Sequence, residues 1–159
     1  MLAWFTGTAP GLFLSTVCIS LVPVLELRAG LPFGLSQGLS WPLAFAASVV
    51  GNLLPVPFII LFIRKVFVWL RRVFPALDRW ISRQEQRAAG KSELVAKYGP
   101  LGLCILVAIP LPGTGAWTGA LVAALLDLRL KRALPAIILG VILAALLVSG
   151  IYFGLIHVL

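Results

Sequence analysis

Two charged residues stand in an apolar stretch where folding alone gives them no evident use. Glu26 and Arg28 lie in PVLELRAGLPFG, residues 23–34; no charge precedes them and the next one after them is Arg64. At membrane depth each costs on the order of 3 kcal/mol on insertion scales, so their presence points to a task. A carboxylate suits a proton or a coupling cation, and a guanidinium suits an anionic group. A second polar island, PLPGTGAW at 110–117, groups Pro110, Pro112, Gly113, Thr114, Gly115 and Trp117. Its prolines leave carbonyls without partners. A helix starting near Gly115 points free N–H groups outward, a natural anion site. Asn52, midway along an apolar run, either faces the same place or hydrogen-bonds a neighbouring helix. For Glu26 and Arg28 three readings stand: binding of a substrate or ion, a buried ion pair that locks the chain, and a shallow pair at headgroup level.

The surrounding composition is that of a membrane protein. Of 159 residues 61% are hydrophobic and 11% charged, where a soluble domain has about 25% charged; mean hydropathy is +1.09. One membrane domain over 1–159 is expected. Net charge is +8, with nine of thirteen Lys and Arg between Arg64 and Lys97 and three more at Arg129, Lys131 and Arg132. That clustering fits basic segments on the cytoplasmic face, so nucleic acid is not an expected partner. Cys18 and Cys104 read as buried thiols, and His157 has no metal partner in the sequence. No basic residue precedes the first apolar run, so no signal peptide is expected. Without a His or Cys cluster, an acidic metal site or a Ser–His pair in the apolar segments, no cofactor, metal or enzymatic activity is expected.

Two segments, 41–63 and 133–157, are long and apolar enough to cross a bilayer. The remaining apolar pieces, 10–25, 31–40, 98–110 and 116–126, are short and come in pairs around Pro/Gly breaks, which predicts re-entrant hairpins. If 98–126 crossed, the basic segments 64–97 and 127–132 would lie on opposite faces, so dipping in and returning fits better. Shifting the first half by 89 residues brings Pro23 onto Pro112, Gly30 onto Gly119, Ala44 and Ala47 onto Ala133 and Ala136, and Gly51 onto Gly140. One hairpin plus one crossing per half makes the halves inverted, a plan common among transporters. The expected fold is therefore an all-α integral membrane protein of two inverted repeats, 10–63 and 98–159. Each is a re-entrant hairpin followed by a transmembrane helix. A cytoplasmic amphipathic linker helix, 64–97, joins them, with Trp69, Leu70, Val73, Leu77, Trp80 and Ile81 at helical spacing. The spacing of Gly30, Gly34 and Gly38, and of Gly115, Gly119 and Ala123, predicts ridges of small residues for close helix packing.

The motifs ELRAGLPFG and AIPLPGTGAWTGAL together resemble the bacterial small multidrug export protein family, over nearly the whole chain. More distantly, KYGPLGLCILVAIPLPGTG is similar to the second hairpin of the DedA family. That resemblance implies paired re-entrant hairpins, dependence on the proton-motive force and movement of lipids such as undecaprenyl phosphate. This chain departs from that pattern, having Val107, Ala108 and Gly113 where DedA proteins carry arginines, so Arg28 would have to supply the positive charge. The function expected is transport, in a multi-pass protein of the bacterial inner membrane. An amphiphilic small molecule or a lipid-linked anion such as a polyprenyl phosphate would pass a midplane site. Glu26 would couple to a proton or other cation and Arg28 would anchor an anionic head. Two alternatives are a lipid-binding or membrane-organising protein without a transport cycle and, within transport, export of cationic drugs. Membrane lipid and a second copy of the chain are the expected partners, because so small a protein cannot enclose a wide path alone.

Overall fold

The structure, a computed structural model, describes residues 8–75, 78–110 and 114–158, apart from the side chains of Arg64, Leu70 and residues 156–158. All regular structure among the described residues is helical: α1 Ala9–Leu21, α2 Glu26–Ser36, α3 Trp41–Leu53, α4 Val56–Val73, α5 Asp78–Tyr98, α6 Pro100–Ala108, α7 Ala116–Leu125 and α8 Leu130–Val158. Two stretches are long and apolar enough to cross a membrane, Trp41–Ile63 and Leu130–Leu155. The first is interrupted at Leu54–Pro55, because proline cannot donate the bond that would continue α3 into α4.

The short helices are cut by the same chemistry. A residue before proline is pushed out of the helical region. Val22, before Pro23, ends α1 at φ −71° and ψ 130°; Ile109, before Pro110, ends α6 at φ −72° and ψ 121°. The second member of each pair ends on matching caps. After α2 the N–H of Gly38 bonds Leu35 O at 3.0 Å and that of Leu39 bonds Gly34 O at 2.9 Å; after α7 the N–H of Asp127 bonds Ala124 O at 3.3 Å and that of Leu128 bonds Ala123 O at 2.9 Å. Both pairs are Schellman turns. Gly38 and Asp127 both have positive φ, 90° and 51°, and lie 89 residues apart. Under the same shift α3 begins where α8 begins, and α2 and α7 begin within one residue of each other.

Close packing follows the same 89-residue shift. α1 packs most extensively on α3, and α6 on α8. A Cβ at Gly51 would collide with the Val17 carbonyl, and one at Gly140 would stand 2.7 Å from Val107 Cβ and 2.8 Å from Cys104 O. At Gly30 a Cβ would collide with the Ser20 hydroxyl; at Gly34 it would come within 2.8 Å of Thr16 Oγ1, and at Gly119 within 2.5 Å of Val107 Cγ2. Ala123 is fully buried on the same helix as Gly119. Gly38 is a correction to the predicted ridge: nothing lies within 4 Å of a Cβ placed there. Its role is the left-handed stop of α2, which L side chains resist. Gly30→Leu and Gly119→Leu are each expected to cost about 3 kcal/mol or more, the upper end of overpacking. The check is yield and thermal stability in detergent, where wild-type behaviour of both would show that these faces do not pack.

The basic segment departs from the single linker helix predicted. Its first ten residues continue α4 to Val73, and after Pro75 a separate helix, α5, begins at Asp78. Arg71 joins the two through Asp78 at 3.1 Å and Glu85 at 2.6 Å. α5 also packs inward. It buries Ile81, Ala88 and Val95, spaced by seven, and packs on α6 and α7. Cys18 is exposed rather than buried, and Cys104 is half-buried; both thiols are free. Apolar side chains such as Phe58, Leu61 and Phe62 on α4, and Leu139, Leu143 and Leu147 on α8, stay exposed in the chain alone. That suits a lipid environment, in which apolar exposure carries no penalty.

Candidate functional site

The two helix breaks meet, and the charged pair is what joins them. α2 starts at Glu26, whose φ of 52° is left-handed. For a non-glycine residue this costs roughly 1–2 kcal/mol, strain of a kind that clusters at functional sites. The conformation turns the side chain into the second break, where the Glu26 carboxylate accepts a hydrogen bond from the backbone N–H of Trp117. It is 4% exposed. The first turn of α7 was predicted to offer an anion site; this protein's own carboxylate occupies it, as the helix dipole favours. The N-cap of α7 is Gly115, at φ 133°. A Cβ there would collide with the Glu26 carboxylate, so residue 115 must lack a side chain for Glu26 to reach the helix.

Arg28 reaches the same break from two residues further along α2. Its guanidinium donates to Thr114 O at 2.7 Å, to Thr114 Oγ1 at 3.0 Å and to Ile109 O at 3.1 Å. Thr114 Oγ1 in turn donates to Ile109 O at 2.7 Å. The planar fork of arginine suits this set of acceptors, which a lysine could not bridge in the same way. Glu26 and Arg28 thus grip different parts of the second break, its helix start and its loop.

A cavity of about 550 Å³ opens onto this junction, within the range of small-molecule sites. Glu26, Arg28, Thr114, Trp117 and Thr118 supply its polar inner wall, with Pro23 and Val24 of the first break. The indole N–H of Trp117 is buried without a hydrogen-bond partner among the described residues. Ile59, Ile63 and Phe67 of α4 and Leu121 of α7 form an apolar wall. The last wall is α5, through Trp80, Gln84, Arg87 and Ala88. Lys91 follows one turn later. Burial first, then the charges of Arg87 and Arg28, hold its ammonium below the usual lysine pKa.

Of the other predicted residues, Asn52 is 1% exposed and is not among those lining the cavity. Its Oδ1 has no partner among the described residues. Pro110 is exposed just after α6, and Pro112 and Gly113 lie outside the described residues. Sequence reasoning missed the α4 and α5 walls. The spacings 59/63/67 and 80/84/87 mark one face of each helix, but nothing in them says what that face meets.

A family model described as "Putative small multi-drug export protein" matches residues 26–147, beginning at Glu26, just after the first break, and covering the second break and the α5 wall. The chain belongs to the small multidrug export family. No curated protein matches it, and no solved structure does. The family's name describes export, not catalysis. Its model, together with two helices able to cross a bilayer, identifies this member of the small multidrug export family as a membrane protein. Among the described residues no group of His, Cys, Asp and Glu is arranged to hold a metal.

Proposed function

We propose that this member of the small multidrug export family is a transporter that carries an amphiphilic small molecule, or a lipid-linked anion, past the junction of its two helix breaks. The observation that carries this reading is the cavity, which brings apolar walls from α4 and α7 to a buried carboxylate and a guanidinium. In this scheme α1–α2 and α6–α7 are re-entrant hairpins, α3–α4 and α8 cross the bilayer of the bacterial inner membrane, and the two halves are inverted. Trp41 Nε1 bonds Ser149 Oγ at 3.0 Å, setting the start of α3 beside the later part of α8, which supports crossings in opposite directions. Glu26 is the group that exchanges a proton or cation, and Arg28 holds the loop against which the substrate moves. A second copy of the chain completes the path.

The three bonds from Arg28 to the second break also favour a second reading, in which the junction is a clasp and the protein organises lipid without a transport cycle. Flux separates the two. Proteoliposomes with an imposed pH difference are expected to move a fluorescent single-chain amphiphile faster than protein-free liposomes, and equal rates would leave only the lipid-organising reading. Topology is tested separately. In a chain with Cys18 and Cys104 replaced by Ser, single cysteines at Arg83 and Lys131 are expected to react with an impermeant thiol reagent from the cytoplasmic face alone. Labelling from opposite faces would remove the inverted arrangement.

A further inference from the structure

We propose that the cavity takes amphiphiles with an anionic head, and that Arg87 on α5 is the residue that selects them. This rests on reading the cavity as the substrate site. The family name alone leaves the charge of the head open, so the inference comes from how the acids and bases around the cavity are already used.

The chain has five acids. Asp78 and Glu85 are held by Arg71. Asp127 lies beyond the far end of α7, in its C-terminal turn. Glu93 lines a separate groove with Lys91 and Lys97. Only Glu26 is on the cavity wall, and its carboxylate already faces the positive end of α7 through the Trp117 N–H. Against it stand two guanidiniums. Arg28 directs hydrogen bonds to Thr114 and Ile109. Arg87 has no hydrogen bond or ion pair among the described residues, yet it lines the cavity. An organic cation in this cavity would set its charge against Arg28 and Arg87 while the one acid is engaged. An anionic head would give Arg87 its missing counter-charge, with a planar fork suited to phosphate or carboxylate oxygens. Gln84, one turn before Arg87, is a further donor on the same face, and Trp80, Phe67, Ile63 and Leu121 suit an alkyl tail.

A soluble single-chain amphiphile and a bilayer phospholipid present the same chemistry, so the test separates them. Binding of dodecyl phosphate and of dodecyltrimethylammonium is measured on the whole protein in nanodiscs of phosphatidylcholine. Three forms are compared: wild type, Arg87→Gln, and Arg83→Gln as an exposed basic control off the cavity wall. Wild type is expected to bind the phosphate at least about tenfold tighter than the ammonium, a difference of about 1.4 kcal/mol. Arg87→Gln is expected to weaken the phosphate by about the same factor, with Arg83→Gln unchanged. Repeating the wild-type titration in discs containing phosphatidylglycerol tells the sources apart. A weaker apparent affinity means that the lipid's own head competes for the site, and an unchanged one means a soluble amphiphile; both keep the anionic head. Equal or tighter binding of the ammonium, or wild-type phosphate binding by Arg87→Gln, overturns the assignment while leaving the cavity as a transport site. Binding of neither amphiphile overturns both readings.

Discussion

Glu26→Gln is expected to abolish coupled transport while leaving the protein folded. Glutamine has nearly the same shape, and its carbonyl oxygen can still accept the Trp117 N–H that the carboxylate accepts now. What is lost is a negative charge at a helix N-terminus, worth about 0.3–1 kcal/mol. For a chain of this size that moves Tm by no more than about 2–4 °C. A group that must gain and lose a proton or cation cannot be replaced by an amide, so amphiphile flux driven by a pH difference is expected to fall to the rate of protein-free liposomes. Arg28→Gln provides the contrast. It removes three hydrogen bonds to the second break, each of a charged type worth about 1.5–3 kcal/mol before relaxation, and is expected to destabilise the protein strongly. Were the two residues a mutual clasp, the double Glu26→Gln, Arg28→Gln variant would recover stability, because neither charge would then be left alone. Their partners lie instead at different points of the second break, so the double variant is expected to be at least as unstable as Arg28→Gln. Recovered stability together with recovered flux would mean that the pair only holds the chain together.

Gly115→Ala is expected to cost about 3 kcal/mol of stability and to stop transport. Gly115 sits at φ 133° and ψ −170°, a region reserved almost entirely for glycine, which costs an L residue roughly 1–3 kcal/mol. The rest is collision, since the new methyl group would occupy the space of the Glu26 carboxylate. The two parts can be separated. Adding Glu26→Ala to Gly115→Ala removes the collision but not the backbone strain, so about half the lost stability is expected to return, with transport still absent. Gly38→Ala supplies a positive-φ cost without a collision, because open space surrounds it; about 1 kcal/mol is expected. If Gly115→Ala cost no more than Gly38→Ala, the carboxylate would not be held where it is described.

Much of the fold was legible in the residues, and the reasons are local. Pro23, Pro75 and Pro110 mark helix ends, although Pro32 and Pro135 are carried inside α2 and α8, so the short limbs could be read from their breaks and the long stretches 41–63 and 133–157 from their unbroken apolarity. The register of 89 residues came from matches at Pro and Gly positions, and the caps at Gly38 and Asp127 follow it too. What could not be read is tertiary. The interval between Gly30, Gly34 and Gly38 suits a packing ridge, but only φ distinguishes a packed glycine from one that stops a helix. The linker's apolar residues have helical spacing, which marks a face without naming its partner; in α5 that face is covered by α6 and α7, and the neighbouring Trp80–Gln84–Arg87 face lines the cavity. Glu26 and Arg28 were visible as misplaced charges. Their partners, Trp117, Thr114 and Ile109, lie more than eighty residues further along, and no spacing rule spans that interval.

The 89-residue correspondence also bears on why the two parts of the chain are not interchangeable. Under the 89-residue shift Glu26 falls on Gly115 and Arg28 on Trp117, so the charges of one break meet the bare helix start of the other. Thr16, Ser20, Ser48 and Asn52, all buried in the first half, fall on Ile105, Ile109, Ile137 and Val141. The first half supplies most of the buried polar groups, Ser149 of α8 being an exception, and the second supplies the apolar counterparts of those four and the first N–H groups of α7. An arrangement with charge on both sides would place two carboxylates at one centre, where they repel.

The most direct test is a density map of the protein extracted with its native lipid. With the breaks joined through Glu26 and Arg28 and a cavity between α4, α5 and α7 serving as the substrate site, elongated density is expected in that cavity. Its head would lie beside Arg28 and Arg87, and its tail along Ile59, Ile63 and Leu121. A well-ordered map in which α4 and α7 close onto each other and leave no room beside Glu26, with bound molecules only on the outer faces of α3 and α8, would contradict it.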